Sequence, residues 1–179
     1  MTTPTIETNR LILRPLKVSD AETAFRNWTS DPNVAKFTTW SVSESLDETI
    51  AWLTNVEANA SGDKHCDWGF VLKETDELIG SGGFVYNEER EMFEIGYVIM
   101  QKYWNMGLTT EAARAMVDFA VKTLGVSSIC GKHAKENAVS GKILEKLGFV
   151  YQNDGEYSTF DGVRTFECRE YIFDVKPVN

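Results

Sequence analysis

The stretch "QKYWNMGLTTEAARAMVDFA", residues 101–120, decides the fold and changes character at its midpoint. Its first half sets aromatic and polar residues around a lone glycine, Gly107. Its second half predicts a helix over about Leu108–Leu124, with Leu108, Ala112, Ala115, Met116, Phe119 and Ala120 covering most of the circumference. Glu111, Arg114, Asp118 and Lys122 form one polar stripe, the pattern of a helix laid on a sheet with a single wet edge. The amides of the first helical turn have no partners inside the helix, and they stand at the positive end of its dipole. Gly107 lets a ligand approach the backbone, and the hydroxyls of Thr109 and Thr110 add donors. This is a candidate cradle for phosphate or pyrophosphate. A turn glycine followed by a threonine cap has the same local sequence.

The rest of the chain supplies the sheet. "RLILRPL" (Arg10–Leu16) alternates as a strand does, and "SDAE" (Ser19–Glu22) has the spacing of a helix capping box. Ala21, Ala24, Phe25 and Trp28 then share one helical face, which Asp31-Pro32 ends. A second helix fits Ser43 to about Ala60. Strands follow over Asp67–Lys73, Leu78–Asn87 and Met92–Met100, joined by short polar turns. Beyond the central helix come a strand at Ser127–Ala134 and a short helix over Asn137–Leu147, stopped by Gly148. Two last strands flank the Asp161-Gly162 turn. The order β-α-α-β-β-β-α-β-α-β-β predicts one mixed α/β domain across residues 1–179.

Composition narrows the function. With 179 residues and 12% aromatics, the chain can bury a sizeable core. A formal net charge of −9 argues against a nucleic-acid partner and is compatible with a cationic one. No apolar run reaches the roughly 18 residues of a membrane helix, and no signal peptide is readable. Cys66, Cys130 and Cys168 lack metal-ligand spacing and are expected to be reduced thiols in a cytoplasmic protein.

"NAVSGKILEKLGF" (Asn137–Phe149) places an N-cap asparagine before the stripe Val139, Ile143, Leu147 and returns through Gly148 into a strand. It resembles the carboxyl-terminal signature of the GNAT superfamily of acetyl-CoA-dependent N-acetyltransferases. The stretch from Trp104 to Thr109 is then similar to that superfamily's pyrophosphate motif, Q/R-x-x-G-x-G/A. "RLILRPL", "EIGY" (Glu94–Tyr97) and the "YW…G…TEA" run from Tyr103 to Ala112 resemble the RimJ/RimL-like branch, whose best-known members acetylate N-termini of ribosomal proteins. The resemblance spans about Glu7 to Phe173. It implies a GNAT fold: a central mixed, mostly antiparallel twisted sheet flanked by helices. Asn105, Met106 and Thr109 depart from the branch, which commonly has glycine, a basic residue, and glycine or alanine there.

The resemblance also implies a chemistry. Acetyl-CoA and a primary amine meet in a ternary complex, without a metal. Met106, Gly107, Leu108, Thr109 and Thr110 would hold the pyrophosphate. The strand end Val98, Ile99, Met100 and the helix-start Asn137 would hold the pantetheine arm, and a backbone amide of that strand end would stabilise the oxyanion. Glu94 is the expected base, with a structural carboxylate as its alternative. The tyrosine acid of many members falls on Leu144 and is absent, and Ser140 matches a serine with a related role in the branch. The acceptor is a protein N-terminal α-amine or a small-molecule amine, and a non-catalytic acyl-CoA-binding domain is the third reading. A monomer and a homodimer are both compatible with the chain.

Other features carry less. Cys130 and His133, three apart on a strand, point to opposite faces, and His65 has no evident partner. "GSGG" (Gly80–Gly83) interrupts a strand and precedes no helix, so a bulge or close packing is expected. Trp28, Trp40 and Trp52 are expected in the core, with the lining of an acceptor pocket as the alternative.

Overall fold

A computed structural model describes residues 3–60, 62 and 64–175. The alternation of "RLILRPL" becomes β2 (Leu11–Pro15), with Leu11 and Leu13 fully buried on one face and Ile12 on the other. A two-residue strand, β1 (Ile6–Glu7), pairs with it and has no clear sequence signal. The later strands are β3 (His65–Leu72), β4 (Glu77–Asn87), β5 (Met92–Ile99), β6 (Ser128–Ala134), β7 (Val150–Ser158) and β8 (Thr165–Asp174). They form one eight-stranded sheet in the order β1-β2-β3-β4-β5-β6-β8-β7. Every neighbouring pair is antiparallel except β5 and β6, which run parallel.

Helices cover both faces. The first starts two residues before the expected box, because Asp20 accepts the Lys17 amide (2.9 Å) and the turn begins at Val18. It continues as α1 (Ala21–Ala24) and widens into a π-helical turn over Phe25–Thr29. Together with α2 (Leu46–Asn59) it packs a core of Leu16, Ala24, Trp28, Leu53, Val71 and Leu78. Trp40 and Trp52 lie against that core, as expected. The opposite face carries α3 (Leu108–Lys122) and α4 (Ala138–Leu147) over Trp68, Phe70, Phe84, Ile95, Ile99 and Ile129. On α3 the predicted stripe is wet at Arg114, Asp118 and Lys122, while Ala112, Ala113, Met116 and Ala120 are buried.

The glycines of β4 serve close approach. A Cβ at Gly80 would run into the Val98 carbonyl, and one at Gly83 into the Cys66 carbonyl. The register also slips at Phe70/Val71, opposite Gly80, so the bulge and the tight packing occur together. The tip of the β7–β8 hairpin grips the segment between α1 and α2. Arg164 donates to the carbonyls of Ala35, Lys36 and Trp40, and the Tyr157 hydroxyl to that of Phe37 (2.6 Å).

Candidate active site

The one parallel pairing is short. β5 and β6 match at Phe93↔Ile129 and Glu94↔Cys130, and beyond those pairs β5 is paired with β4 and β6 with β8. The two strands therefore part towards the carboxyl end of β5. Met100 donates its amide to Ile79 O (2.8 Å), which sets the alternation of the antiparallel β4–β5 ladder. Glu94, Gly96 and Val98 direct their backbone groups at β4, whereas Tyr97 and Ile99 direct theirs into the gap. This revises the expected strand end. Val98 and Met100 spend their amides on β4, and the Ile99 carbonyl accepts from Trp104 Nε1 (2.8 Å). Of the three, Ile99 keeps an outward amide, joined by Tyr97, which sequence reasoning left out.

The predicted phosphate loop ends at the amino terminus of α3. Gly107 is the N-cap in the left-handed region (φ +76°), Asn105 is also left-handed (φ +62°), and no side chain caps the helix. The amides of the first turn remain without side-chain partners, and Gly107 and Met106 are exposed. Thr109 and Thr110 are half-buried beside them, and Leu108 is buried against the core. The sequence lacks a basic side chain within this loop, yet the fold brings one from elsewhere. Arg10, ahead of β2, donates to Met106 O (2.9 Å), and a Cβ at Gly107 would lie 3.6 Å from its Nη2. Glu111 holds Arg10 there through Nε (2.7 Å) and the backbone amide (2.7 Å). Burial opposes ionisation of Glu111, but the donations from Thr8 and Arg10 hold its carboxyl below the usual range. An uncapped, cation-backed helix start of this kind fits a pyrophosphate.

At the gap's α4 side, Asn137 is the N-cap and its side chain accepts the Ser140 amide (3.4 Å). The Tyr97 hydroxyl lies 3.3 Å from both Ser140 Oγ and Ser140 O, so a strand side chain meets the predicted serine. Burial pushes the Tyr97 phenol up to about 12, so it stays protonated and available as a donor. Leu144 is 1% exposed and lies against the positions where Gly131 lacks a side chain.

Glu94 faces the other side of the sheet, towards α1 and α2. Lys132 pairs with it at 3.0 Å and Asn87 donates to it at 3.2 Å. It is thus a carboxylate held in place beside the gap. Lys132 also lies over the Tyr157 ring (5.6 Å). Asp67 on β3 shares this face and carries no motif that flags it. Its sole sequence signal is a carboxylate inside an otherwise apolar strand. Burial pushes its carboxyl up to about 6.

The thiols and His133 lie in the core. Cys66, Cys130 and Cys168 are free and buried, and burial takes the Cys130 thiol up to about 11. His133 faces α4 beneath Gly141, while Cys130 shares the Glu94 face, so the two point apart as expected. Among the described residues, no group of His, Cys, Asp and Glu is arranged to hold a metal.

A family model described as "Acetyltransferase (GNAT) domain" matches residues 10–150. The chain belongs to the GNAT acetyltransferase family. The GNAT assignment makes it an acetyltransferase with acetyl-CoA as co-substrate, and the uncapped α3 start suits that molecule's pyrophosphate. It is 31% identical over 166 residues to YoaA of Bacillus subtilis (strain 168), named an uncharacterized N-acetyltransferase, with 87% of this chain and 93% of YoaA covered. Among solved structures, the GNAT-family acetyltransferase of Bacillus anthracis superposes with a TM-score of 0.81 at 23% identity, covering 96% of this chain and 98% of that one. RimL, a ribosomal L7/L12 alpha-N-protein acetyltransferase solved with coenzyme A, superposes at 0.84 with 13% identity, covering 98% and 100%. These likenesses show the GNAT fold.

Proposed function

We propose that this GNAT domain transfers acetyl from acetyl-CoA directly to a primary amine in a ternary complex, with a protein N-terminal α-amine as the first acceptor class and a small-molecule amine as the second. The observation that carries the reading is the parting of β5 and β6 with the Tyr97 and Ile99 amides turned into the gap. Acetyl-CoA supplies an activated acetyl group and a thiolate leaving group. The pyrophosphate is held by the backbone amides of Met106, Gly107, Leu108, Thr109 and Thr110, with Arg10 behind them. Asn137 and the outward amides of β5 hold the pantetheine arm, and the Ile99 or Tyr97 amide serves the oxyanion. Ser140 and Tyr97 present hydroxyls to the sulfur, in place of the tyrosine missing at Leu144.

Glu94 attracts and orients the acceptor's ammonium and takes its proton. A modest base suffices for an α-amine: at a pKa of about 7.8, neutralisation at pH 7 costs roughly 1 kcal/mol, against roughly 4.6 for lysine. The RimL superposition and the "EIGY" and "RLILRPL" stretches support the RimJ/RimL-like branch and an α-amine acceptor. The reduced, buried thiols support a cytoplasmic location.

Release of free CoA from acetyl-CoA is the test, measured against N-terminal peptides, N-blocked lysine peptides and small amines. Acetylation confined to lysine side chains would overturn the α-amine reading, and no release with any amine would overturn the enzyme. Glu94→Gln is expected to lower kcat at least about tenfold while CoA affinity holds. A full kcat in that variant would leave Glu94 a structural partner of Lys132.

A further inference from the structure

Across the face that carries Glu94, the register aligns Asp67, Gly83 and Gly96 in one row running from β3 to β5. The row ends where β5 and β6 part, so it leads from Asp67 to the edge of the gap. Neither Gly83 nor Gly96 puts a side chain into it. At Gly83 the reason is steric, because a Cβ would strike the Cys66 carbonyl. At Gly96 no such reason exists, since a Cβ there meets nothing within 4 Å and the residue is exposed.

The helical cover stops one row short. Val71, Leu78 and Val98 belong to the core beneath α1 and α2, whereas Gly96 and the next outward-facing residue on β4, Val85, are exposed. The result is a row without side chains between Asp67 and Gly96, open at Gly96 and buried at Gly83, with half-buried Asp67 at its far end.

Asp67 is half-buried and has no hydrogen bond or ion pair among the described residues. In the adjacent row Ser81 is 7% exposed, and its hydroxyl is likewise without a partner among them. On the other side lie His65 and Glu94. Glu94 already has Lys132, whereas Asp67 has only the His65 imidazole nearby and no ion pair among the described residues. A carboxylate withdrawn from water without a partner costs stability, and such groups persist where a ligand completes them.

We propose that Asp67 sets acceptor specificity by pairing with a second positive charge on an acceptor that lies along the glycine row with its reacting amine beside Gly96. The inference rests on the acetyl-transfer reading above and names the acceptor class for that site. Asp67 and Gly96 are two strand spacings apart, about 10 Å. The acceptor is therefore a dication with centres separated by roughly 7–10 Å. An aliphatic diamine has this chemistry, and so does a peptide with a free N-terminus and a basic side chain at its second residue. The charge-assisted contact at Asp67 adds to acceptor binding before transfer.

The test compares two matched pairs of acceptors on the full chain with acetyl-CoA. One pair is 1,5-diaminopentane and 1-aminopentane, and the other is a free-N-terminus peptide with lysine or norleucine second. In the wild type the dication of at least one pair is expected to show a KM about tenfold lower than its monocation. In Asp67→Asn that ratio is expected to fall to about two or less, and Asp67→Glu to restore part of it. A preference in the diamine pair alone assigns a small-molecule acceptor, and one in the peptide pair alone assigns a protein N-terminus.

A dication ratio near one in the wild type, or one unchanged in Asp67→Asn, overturns the proposal. Calorimetric titration of 1,5-diaminopentane and of the lysine peptide into the CoA-bound protein reads the same contact without turnover. Binding weakened about tenfold by Asp67→Asn, with no CoA release from any amine, would refute the transfer reading while upholding the cation site. Robust CoA release with no Asp67-dependent binding would do the reverse.

Discussion

On the face covered by α3 and α4, glycines mark places where a neighbour already occupies the space. A Cβ at Gly131 would sit 2.9 Å from Leu144 Cδ2, and one at Gly141 would sit 2.5 Å from His133 Nε2. On the face covered by α1 and α2, Gly96 marks a place where nothing does. The polar groups follow the same division. His133 is satisfied by Ala134 O (2.7 Å) and lies 3.4 Å from the Tyr171 hydroxyl, while Asp67 and Ser81 wait without partners among the described residues. A filled face can hold a constant co-substrate on fixed backbone groups. The open patch at Gly96 leaves room for the proposed acceptor, and unsatisfied groups at such a site are what stability gives up for function.

The comparison can be broken by substitution. The largest effect is expected on the filled face, where Leu144→Ala should lower stability by about 3 kcal/mol, read by denaturant unfolding. A loss below about 1 kcal/mol would mean that α4 is loosely seated.

Asp67→Asn is expected to do the opposite. Burial raises this carboxyl from 3.8 to about 6, so its ionised form penalises the folded state above that pH and the penalty vanishes below 3.8. The variant should therefore gain on the order of 2 kcal/mol at pH 8 and little at pH 4. Paired thermal melts at the two pH values check the sign. An equal change at both would show that the carboxylate is not strained.

Gly107→Val tests the co-substrate side directly. With φ at +76°, any Cβ is strained there, and it also approaches Arg10. CoA affinity should fall at least about tenfold, or 1.4 kcal/mol, by calorimetry on the folded variant. An unchanged affinity would remove the pyrophosphate from this loop. The smallest effect on stability is expected at Gly96→Val, within about 0.5 kcal/mol, because the added atoms meet open space and valine suits a strand. A large destabilisation there would show that Gly96 does not face open space.

Most elements were legible in the chain because each carries a local period. The helix from Leu108, the strands at Met92–Ile99 and Ser128–Ala134, and the Asn137 cap all lie within a residue or two of their sequence signals. The two-residue β1 and the π-helical turn at Phe25–Thr29 were not legible, since pairing with β2 and packing against the sheet set them rather than propensity. At the site, Gly107, Asn137, Ser140 and Glu94 could be named from motifs.

What sequence by itself determined is the family, the order of elements, the helix start at Gly107 and the alternation that puts Glu94 and Tyr97 on opposite faces. Tertiary structure alone decided the cation behind the proposed phosphate loop, the outward amides of β5 and the Tyr97–Ser140 contact. It also decided the lone carboxylate at Asp67. Each of these depends on residues far apart in the chain: Arg10 with Glu111, Ile79 with Met100, Asp67 with Gly96. Local periodicity reports which way a side chain points. Strand register and helix cover determine what it meets there.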